Sequence, residues 1–184
     1  MEKQKVSIEF IFGEKESNLS REINLFWSKF SKSYDEEMSS HQRSTQMKRT
    51  THTSAKLGNI TFLKKEAAAV AKDQNGAILG IVSVALTKTE SPSNSSEYVY
   101  FQRMYTHNSQ RCISLSSQLY KSFLKNFKKA ISKRDPRAHY LMAENANPGL
   151  RTPVMRRYFF RLGFRMLGTN HLGYEIWQLP LETK

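Results

Sequence analysis

The stretch Met104-Tyr105-Thr106-His107-Asn108-Ser109-Gln110-Arg111-Cys112-Ile113-Ser114-Leu115-Ser116-Ser117-Gln118-Leu119-Tyr120 decides how the rest of the chain is read. It joins a strand-like segment, Tyr98–Thr106, to a helix-like one, about Arg111–Ser132. The N-terminus of such a helix offers an anion unpaired first-turn N–H groups and the positive end of the helix dipole. Arg111 stands at the mouth of the turn, and Ser114, Ser116 and Ser117 line the first turns. Small residues let a phosphate approach the backbone, and their hydroxyls can donate to it. The same residues suit a plain surface junction with serine as N-cap. Local chemistry alone favours the plain junction, so the decision passes to the flanking segments.

Upstream, Asp73-Gln74-Asn75-Gly76 separates Ala67–Lys72 from Ala77–Thr89, which carries Ile78, Leu79, Ile81, Val82, Val84 and Leu86. An Asn-Gly between two apolar runs is a hairpin signal. Ile60–Leu63 reads as a short strand and Thr89–Ser96 as a loop. Downstream, Leu115, Leu119, Phe123, Phe127 and Ile131 form one apolar helix side, and Lys121, Lys125, Lys128, Lys129, Lys133 and Arg134 make the rest basic. Asp135-Pro136 ends that helix. A short strand, His139–Ala143, follows. Thr152-Pro153 then starts a helix that Gly163 closes. Phe164–Leu167 and Tyr174–Leu179 are closing strands. At the N-terminus, Lys5–Phe12 alternates like a strand, and Ile23, Phe26, Trp27, Phe30 and Tyr34 fall at helical spacing over about Leu19–Met38. That aromatic stripe reads as core. Ser39–Gly58 is basic, lacks acidic residues, and reads as a mobile loop with short helical pieces.

The chain has 184 residues, enough for one domain spanning 1–184 but not for two full ones. Its net charge of +13 favours an anionic partner: nucleic acid, a phosphorylated cofactor or an acidic membrane surface. Cys112 is the lone cysteine, which excludes an intrachain disulfide and suits a reducing compartment. No apolar run is long enough for a membrane span, and the N-terminus lacks the apolar core of a signal peptide. The expectation is a cytoplasmic protein. His41 and His52 have no metal-ligand spacing to a cysteine or carboxylate, so no metal is assigned. The element order, β-α-loop-β-β-β-α-β-α-β-β, implies an α/β (α+β) fold. Its sheet is mixed and mostly antiparallel, with a parallel pair in the second half.

On these residues the chain resembles the GNAT superfamily of acyl-CoA-dependent N-acyltransferases, over about Lys5–Leu179. Met104-Tyr105-Thr106-His107-Asn108 fits the family's strand end. Arg111-x-x-Ser114-x-Ser116 fits its Arg-x-x-Gly-x-Gly/Ala turn with both glycines replaced, and Leu119-Tyr120 fits its leucine pair. Phe159-Phe160-Arg161-Leu162-Gly163-Phe164 stands in the register of Tyr-x-x-x-Gly-Phe. The resemblance implies transfer of an acetyl group from acetyl-CoA to a primary amine by direct attack. The pyrophosphate would lie on the N–H groups of Arg111, Cys112, Ile113, Ser114, Leu115 and Ser116. The pantetheine arm would pair with Met104, Tyr105 and Thr106, in a V between that strand and His139–Ala143. Asn145 and Asn147 would bind the arm or cap the turn; Asn147 is taken as the cofactor-binding one.

The departures bear on catalysis. Serine replaces glycine at 114 and 116. The position of the family's acidic tyrosine is Phe159, with Tyr158 one step away, about 100° around the helix. Tyr100 stands where a basic glutamate sometimes occurs, and Gln102, Tyr105, His107 and Glu144 are further polar groups nearby. The catalytic candidates are therefore Tyr100, Gln102 and Tyr158. Three readings stand: an acetyltransferase with an unknown amine acceptor, a GNAT fold that binds acyl-CoA or a partner without catalysis, and a nucleic-acid (tRNA) module using the basic surface.

Overall fold

The computed structural model describes residues 6–14, 19–46, 60–90, 96–107, 109 and 111–182. Among these residues seven strands form one sheet: β1 (Ser7–Phe10), β2 (Ile60–Lys72), β3 (Ile78–Glu90), β4 (Ser96–Thr106), β5 (Ala138–Asn145), β6 (Arg165–Thr169) and β7 (Glu175–Pro180). Their spatial order is β1-β2-β3-β4-β5-β7-β6. Every neighbouring pair is antiparallel except β4 with β5. Three α-helices of the described residues flank the sheet: α1 (Leu19–Gln46), α2 (Ile113–Lys129) and α3 (Pro153–Arg161). This is the mixed, mostly antiparallel α/β architecture expected from the sequence.

The β2–β3 turn forms at Asp73–Gly76 because its side chains complete the backbone bonding. Asp73 Oδ1 accepts from the Asn75 and Ala77 N–H groups at 2.8 and 2.9 Å. Gly76 supplies the left-handed residue, with φ +82°. β2 is one strand of 13 residues rather than the two pieces expected, because bulges at three places absorb its irregular pattern.

Side chains alternate across the sheet, so adjacent residues feed opposite faces. Ala69, Ala71 and Val82 pack under α2 with Leu119, Phe123 and Phe127, all fully buried or nearly so. Each such helix side chain contributes roughly 1.5–3 kcal/mol of burial. Val70 and Ile81, one residue along, pack with Tyr105 against Phe26 of α1. Thus α2 lies on one face and α1 on the other, while α3 joins the α2 face through Phe159, which stacks on Trp177.

Two boundaries differ from expectation. α2 stops at Lys129 and Ile131–Lys133 is a separate 3₁₀ turn. α1 runs on to Gln46, so Ser39–Gln46 is helix and not loop. No glycine or proline interrupts that stretch, and Glu37 pairs with His41 one turn on, at 3.7 Å. The rest of the expected loop, 47–58, lies outside the described residues.

Candidate active site

The site begins where the one parallel pair stops. β4 and β5 are partnered over Tyr98–Gln102 and Ala138–Ala143. Beyond Gln102, β4 continues to Thr106 bonded only to β3; beyond Ala143, β5 continues to Asn145 bonded to β7. Both strands keep their outer neighbours, so the sheet splits and neither strand frays. The result is a V, with the β5-facing backbone edge of Arg103–Thr106 unpaired by any described strand.

Three of the buried polar atoms without partners among the described residues come from the strands and helix at the V: Gln102 Oε1 on β4, Asn145 Nδ2 on β5 and, on a partly buried ring, the Tyr158 hydroxyl of α3. Gln102 and Asn145 are 6% and 4% exposed. Buried orphan polar atoms cost about 1–3 kcal/mol each and are rare without a function or a ligand. The other end of the Gln102 amide donates to the Tyr120 hydroxyl of α2. Burial pushes the Tyr120 phenol above its usual pKa; the Gln102 hydrogen bond opposes this and the nearby Tyr158 phenol adds to it. Tyr120, Gln102 and Tyr158 therefore form a polar group inside an otherwise apolar core. Tyr120 carries no sequence signal for this role, since it occupies a position expected to be leucine-like.

The start of α2 adds the anion-binding element. Cys112 is its N-cap and is exposed; its Sγ accepts from Leu115 N–H at 3.3 Å. Ile113, Ser114, Leu115 and Ser116 make the first turn, where Ile113 and Ser114 N–H precede the first intrahelical bond. Both serines that replace glycine thus sit in ordinary helical backbone, so no left-handed residue is needed at either place. Ser114 Oγ is engaged by Gln118 at 3.0 Å. Thr106, buried at the end of β4, accepts from Arg111 through its carbonyl at 2.9 and 3.2 Å.

Arg111 is not free. Glu37 of α1 holds its guanidinium in a two-point pair at 2.7 and 2.8 Å. Those hydrogen bonds hold the Glu37 carboxyl below its usual pKa, against the opposing effect of burial. Glu37 lies 74 residues away in sequence, and nothing in the residue pattern marks the pairing.

The other candidates separate. Met104 is partly exposed on the open edge, and Tyr105 points to the α1 face among Trp27, Phe26 and Tyr34. Tyr100 belongs to the core and not to the V: it packs edge-on against Phe12 and Phe127, and its hydroxyl accepts from Asp135 N–H at 2.8 Å. Asn147 caps the 3₁₀ turn Pro148–Arg151 by accepting from Gly149 N–H at 2.8 Å. His107 lies against the Phe30 ring and contacts Ser109 Oγ at 2.7 Å. Phe159 is packed among Tyr120, Phe164 and Trp177.

On the α1 face, Arg103 and Glu144 bridge the V at 3.2 Å, and Asn170 donates to the other Glu144 oxygen. Beside them is a cavity of about 240 Å³ walled by Trp27, Tyr34 and Tyr105, with Lys65, Ser83 and Arg103 on its polar side. Part of the α1 aromatic stripe is therefore cavity wall; Phe26 is core. A larger hollow, about 510 Å³, takes all its lining from α1 alone, so no second element converges on it. No group of three or more histidine, cysteine, aspartate or glutamate side chains gathers to hold a metal among the described residues. None of their helices is long and apolar enough to cross a membrane.

The class that fold and site define is a split, mostly antiparallel α/β sheet with a helix N-terminus at the split. No protein-family model matches the chain, and no curated protein sequence does. Among solved structures, a KacTA–DNA complex aligns with 96% of this chain and 93% of its own at 11% identity and a TM-score of 0.48. A mutant of the AtaT toxin bound to the C-terminus of the antitoxin AtaR aligns with 96% of this chain and 92% of its own at 14% identity and a TM-score of 0.47.

Proposed function

We propose that the chain is an acyl-CoA-dependent N-acyltransferase that acetylates a primary amine. The observation that carries this is the V between β4 and β5, with its open edge at Arg103–Thr106 and its orphan atoms on Gln102 and Asn145. An extended chain bearing amides fits such a slot, since it can pair with a bare strand edge and satisfy a buried acceptor and a buried donor. The start of α2 meets the need of a diphosphate at the end of that slot.

Acetyl-CoA, as donor, supplies the activated carbonyl. The chain's residues supply the rest. An N–H on the open edge near Met104 stabilises the developing oxyanion. Tyr158, with its hydroxyl buried and unpartnered, protonates the departing thiolate, and Gln102 and Tyr120 fix the local polarity. Both Glu144 oxygens are engaged, by Arg103 and Asn170, which suits positioning better than proton abstraction. The amine proton then leaves to water.

Asn145→Leu tests the slot. It removes an orphan buried donor, so the ligand-free protein keeps or gains stability, while acetyl-CoA affinity by calorimetry falls about tenfold. Wild-type protein that takes up no acetyl-CoA, in calorimetry and in native mass spectrometry, overturns the proposal. A second reading rests on α2 and the 3₁₀ turn after it, where Lys121, Lys125, Lys128, Lys129 and Lys133 are exposed and form no ion pair among the described residues. This face suits a polyanion, and a nucleic-acid partner is compatible with the transferase reading.

A further inference from the structure

The cavity between α1 and the sheet has a composition that selects among amines. Its walls are the three aromatic rings of Trp27, Tyr34 and Tyr105. Trp27 and Tyr105 are stacked, with centroids 5.8 Å apart, and Tyr34 stands edge-on to both. Such walls hold a flat or apolar body. Its polar side carries two cations. Lys65 makes no ion pair among the described residues, although its neighbour Lys64 is bound to Glu66 at 2.9 Å. Arg103 gives one nitrogen to Tyr34 at 3.2 Å and another to Glu144 at 3.2 Å. Glu144 pairs with Arg103 from outside the lining, and the lining itself holds two cations and no carboxylate, so the cavity is net positive.

Position adds to composition. Arg103 is the first β4 residue past the last one paired with β5, so the cavity borders the V through this side chain. We propose that this cavity is the acceptor site, and that it takes a small amine with a flat or apolar body and an anionic group, carboxylate or phosphate-like. This rests on the acyltransferase reading. The anion lies on Lys65 and Arg103, the body lies on the aromatic walls, and the amine points to the gap beside Glu144. The cavity's size suits a molecule of amino-acid dimensions. A dication or polyamine is rejected by Lys65 and Arg103, since like charges at close range repel. The same positive field lowers the pKa of the bound amine and raises its neutral fraction, which attack requires. In the reaction the amine nitrogen forms a C–N bond to the acyl carbon and the C–S bond breaks. The thiolate takes one proton from Tyr158, which is replenished from the proton the amine releases through water. The products are an amide and a free thiol.

Three probes with one body separate the cases: L-phenylalanine, its phosphonate analogue, and 2-phenylethylamine, which has no anion. Trp27 is the reporter, because the other tryptophan, Trp177, is fully buried on the α2 face. L-phenylalanine or the phosphonate changes the emission saturably, and 2-phenylethylamine binds at least about tenfold more weakly. Preference between the two anions tells carboxylate from phosphate-like recognition. Lys65→Gln, on an exposed side chain, and Arg103→Gln each remove about tenfold of the gap between anionic and neutral probes. Equal binding of 2-phenylethylamine and L-phenylalanine overturns the proposal, as does no saturable change with any probe, or a gap unmoved in both variants. Acetyl-CoA binding is measured on the same samples. If acetyl-CoA binds and no probe does, only this inference fails. If the anionic probes bind and acetyl-CoA does not, the acyltransferase reading fails and the anionic-amine site stands alone.

Discussion

Glu37→Gln should have opposite effects on the ligand-free and the ligand-bound protein. Glu37 grips Arg111 at two points, with side chains 19% and 35% exposed. Exposed ion pairs contribute about 0.2–1 kcal/mol, and this two-point, mostly covered pair belongs at the upper end, about 1 kcal/mol. The amide cannot replace it, so the ligand-free protein loses about 1 kcal/mol, which for a chain of this size lowers Tm by roughly 2–4 °C. If Arg111 serves the diphosphate of acetyl-CoA, it must first leave Glu37, and the wild type spends that 1 kcal/mol on binding. The variant does not, so its affinity rises about fivefold. Arg111→Ala removes both the pair and the phosphate contact and weakens binding by about tenfold or more. Calorimetry with acetyl-CoA at fixed ionic strength reads both, and thermal melts read the stability. A Glu37→Gln protein that melts lower yet binds acetyl-CoA no tighter refutes the reasoning. Arg111 would then be a strut tying α1 to the Thr106 carbonyl, and the anion site would consist of backbone alone.

Tyr158→Phe should leave Tm nearly unchanged, since the hydroxyl has no partner, and lower kcat about tenfold to a hundredfold with little change in acetyl-CoA affinity. Phe159→Tyr should not restore activity, and it costs about 1–3 kcal/mol in chemical denaturation, because its new hydroxyl is buried between Tyr120, Phe164 and Trp177. Gly80→Ala should destabilise by about 2 kcal/mol in the same assay, because its Cβ would stand 2.6 Å from Thr106 Cγ2 and 3.1 Å from the Tyr105 carbonyl. Glu37 and Asp135 both have lowered pKa values, held down first by hydrogen bonds from Arg111 and Arg137. Their contribution to stability is therefore complete above their ordinary values of 4.5 and 3.8 and lost as pH falls through the lower folded ones; urea midpoints in Glu37→Gln should lose the part that begins below about 4.5. Replacing Lys121, Lys125 and Lys129 by glutamine should flatten the salt dependence of RNA binding by nearly one unit of slope for each phosphate no longer neutralised; an unchanged slope moves the polyanion off α2.

What was legible in the sequence is what local chemistry controls. The Asp73–Gly76 turn, the apolar line Leu115-Leu119-Phe123-Phe127, the Thr152 cap and the Gly163 stop each depend on a few adjacent residues. Together they specified strand order well enough to place one parallel pair beside a helix start. What was not legible depends on contacts between distant segments. Glu37 lies within the helix expected over about Leu19–Met38, but it meets Arg111 across 74 residues, and no residue near Arg111 advertises that. The orphan state of Asn145 needs β5 to outrun its pairing with β4. Tyr100 shows the converse: the resemblance put it where a glutamate sometimes occurs, but two residues along β4 from Gln102 is the distance from the V to the ring cluster of Phe12 and Phe127.

The departures from the expected motif lie at the start of α2 and on α3, apart from Tyr100, which is in the core. The scaffold residues of the sheet and of α2 follow ordinary rules, whereas Ser114, Ser116, the exchange of tyrosine and phenylalanine at 158 and 159, and the engaged Arg111 surround the V. The exchange at 158 and 159 has a physical reading. Phe159 fills the space under Trp177 that an apolar ring fills best, and the neighbouring position carries the hydroxyl instead, near Tyr120. The phenol is moved by one residue and not lost. The serines need no special backbone, and the helix start keeps the Ile113 and Ser114 N–H groups available while Cys112 takes those of Leu115 and Ser116. Under the proposed function, a buried phenol and a helix start with free N–H groups are therefore both still supplied, and Tyr158→Phe tests the first.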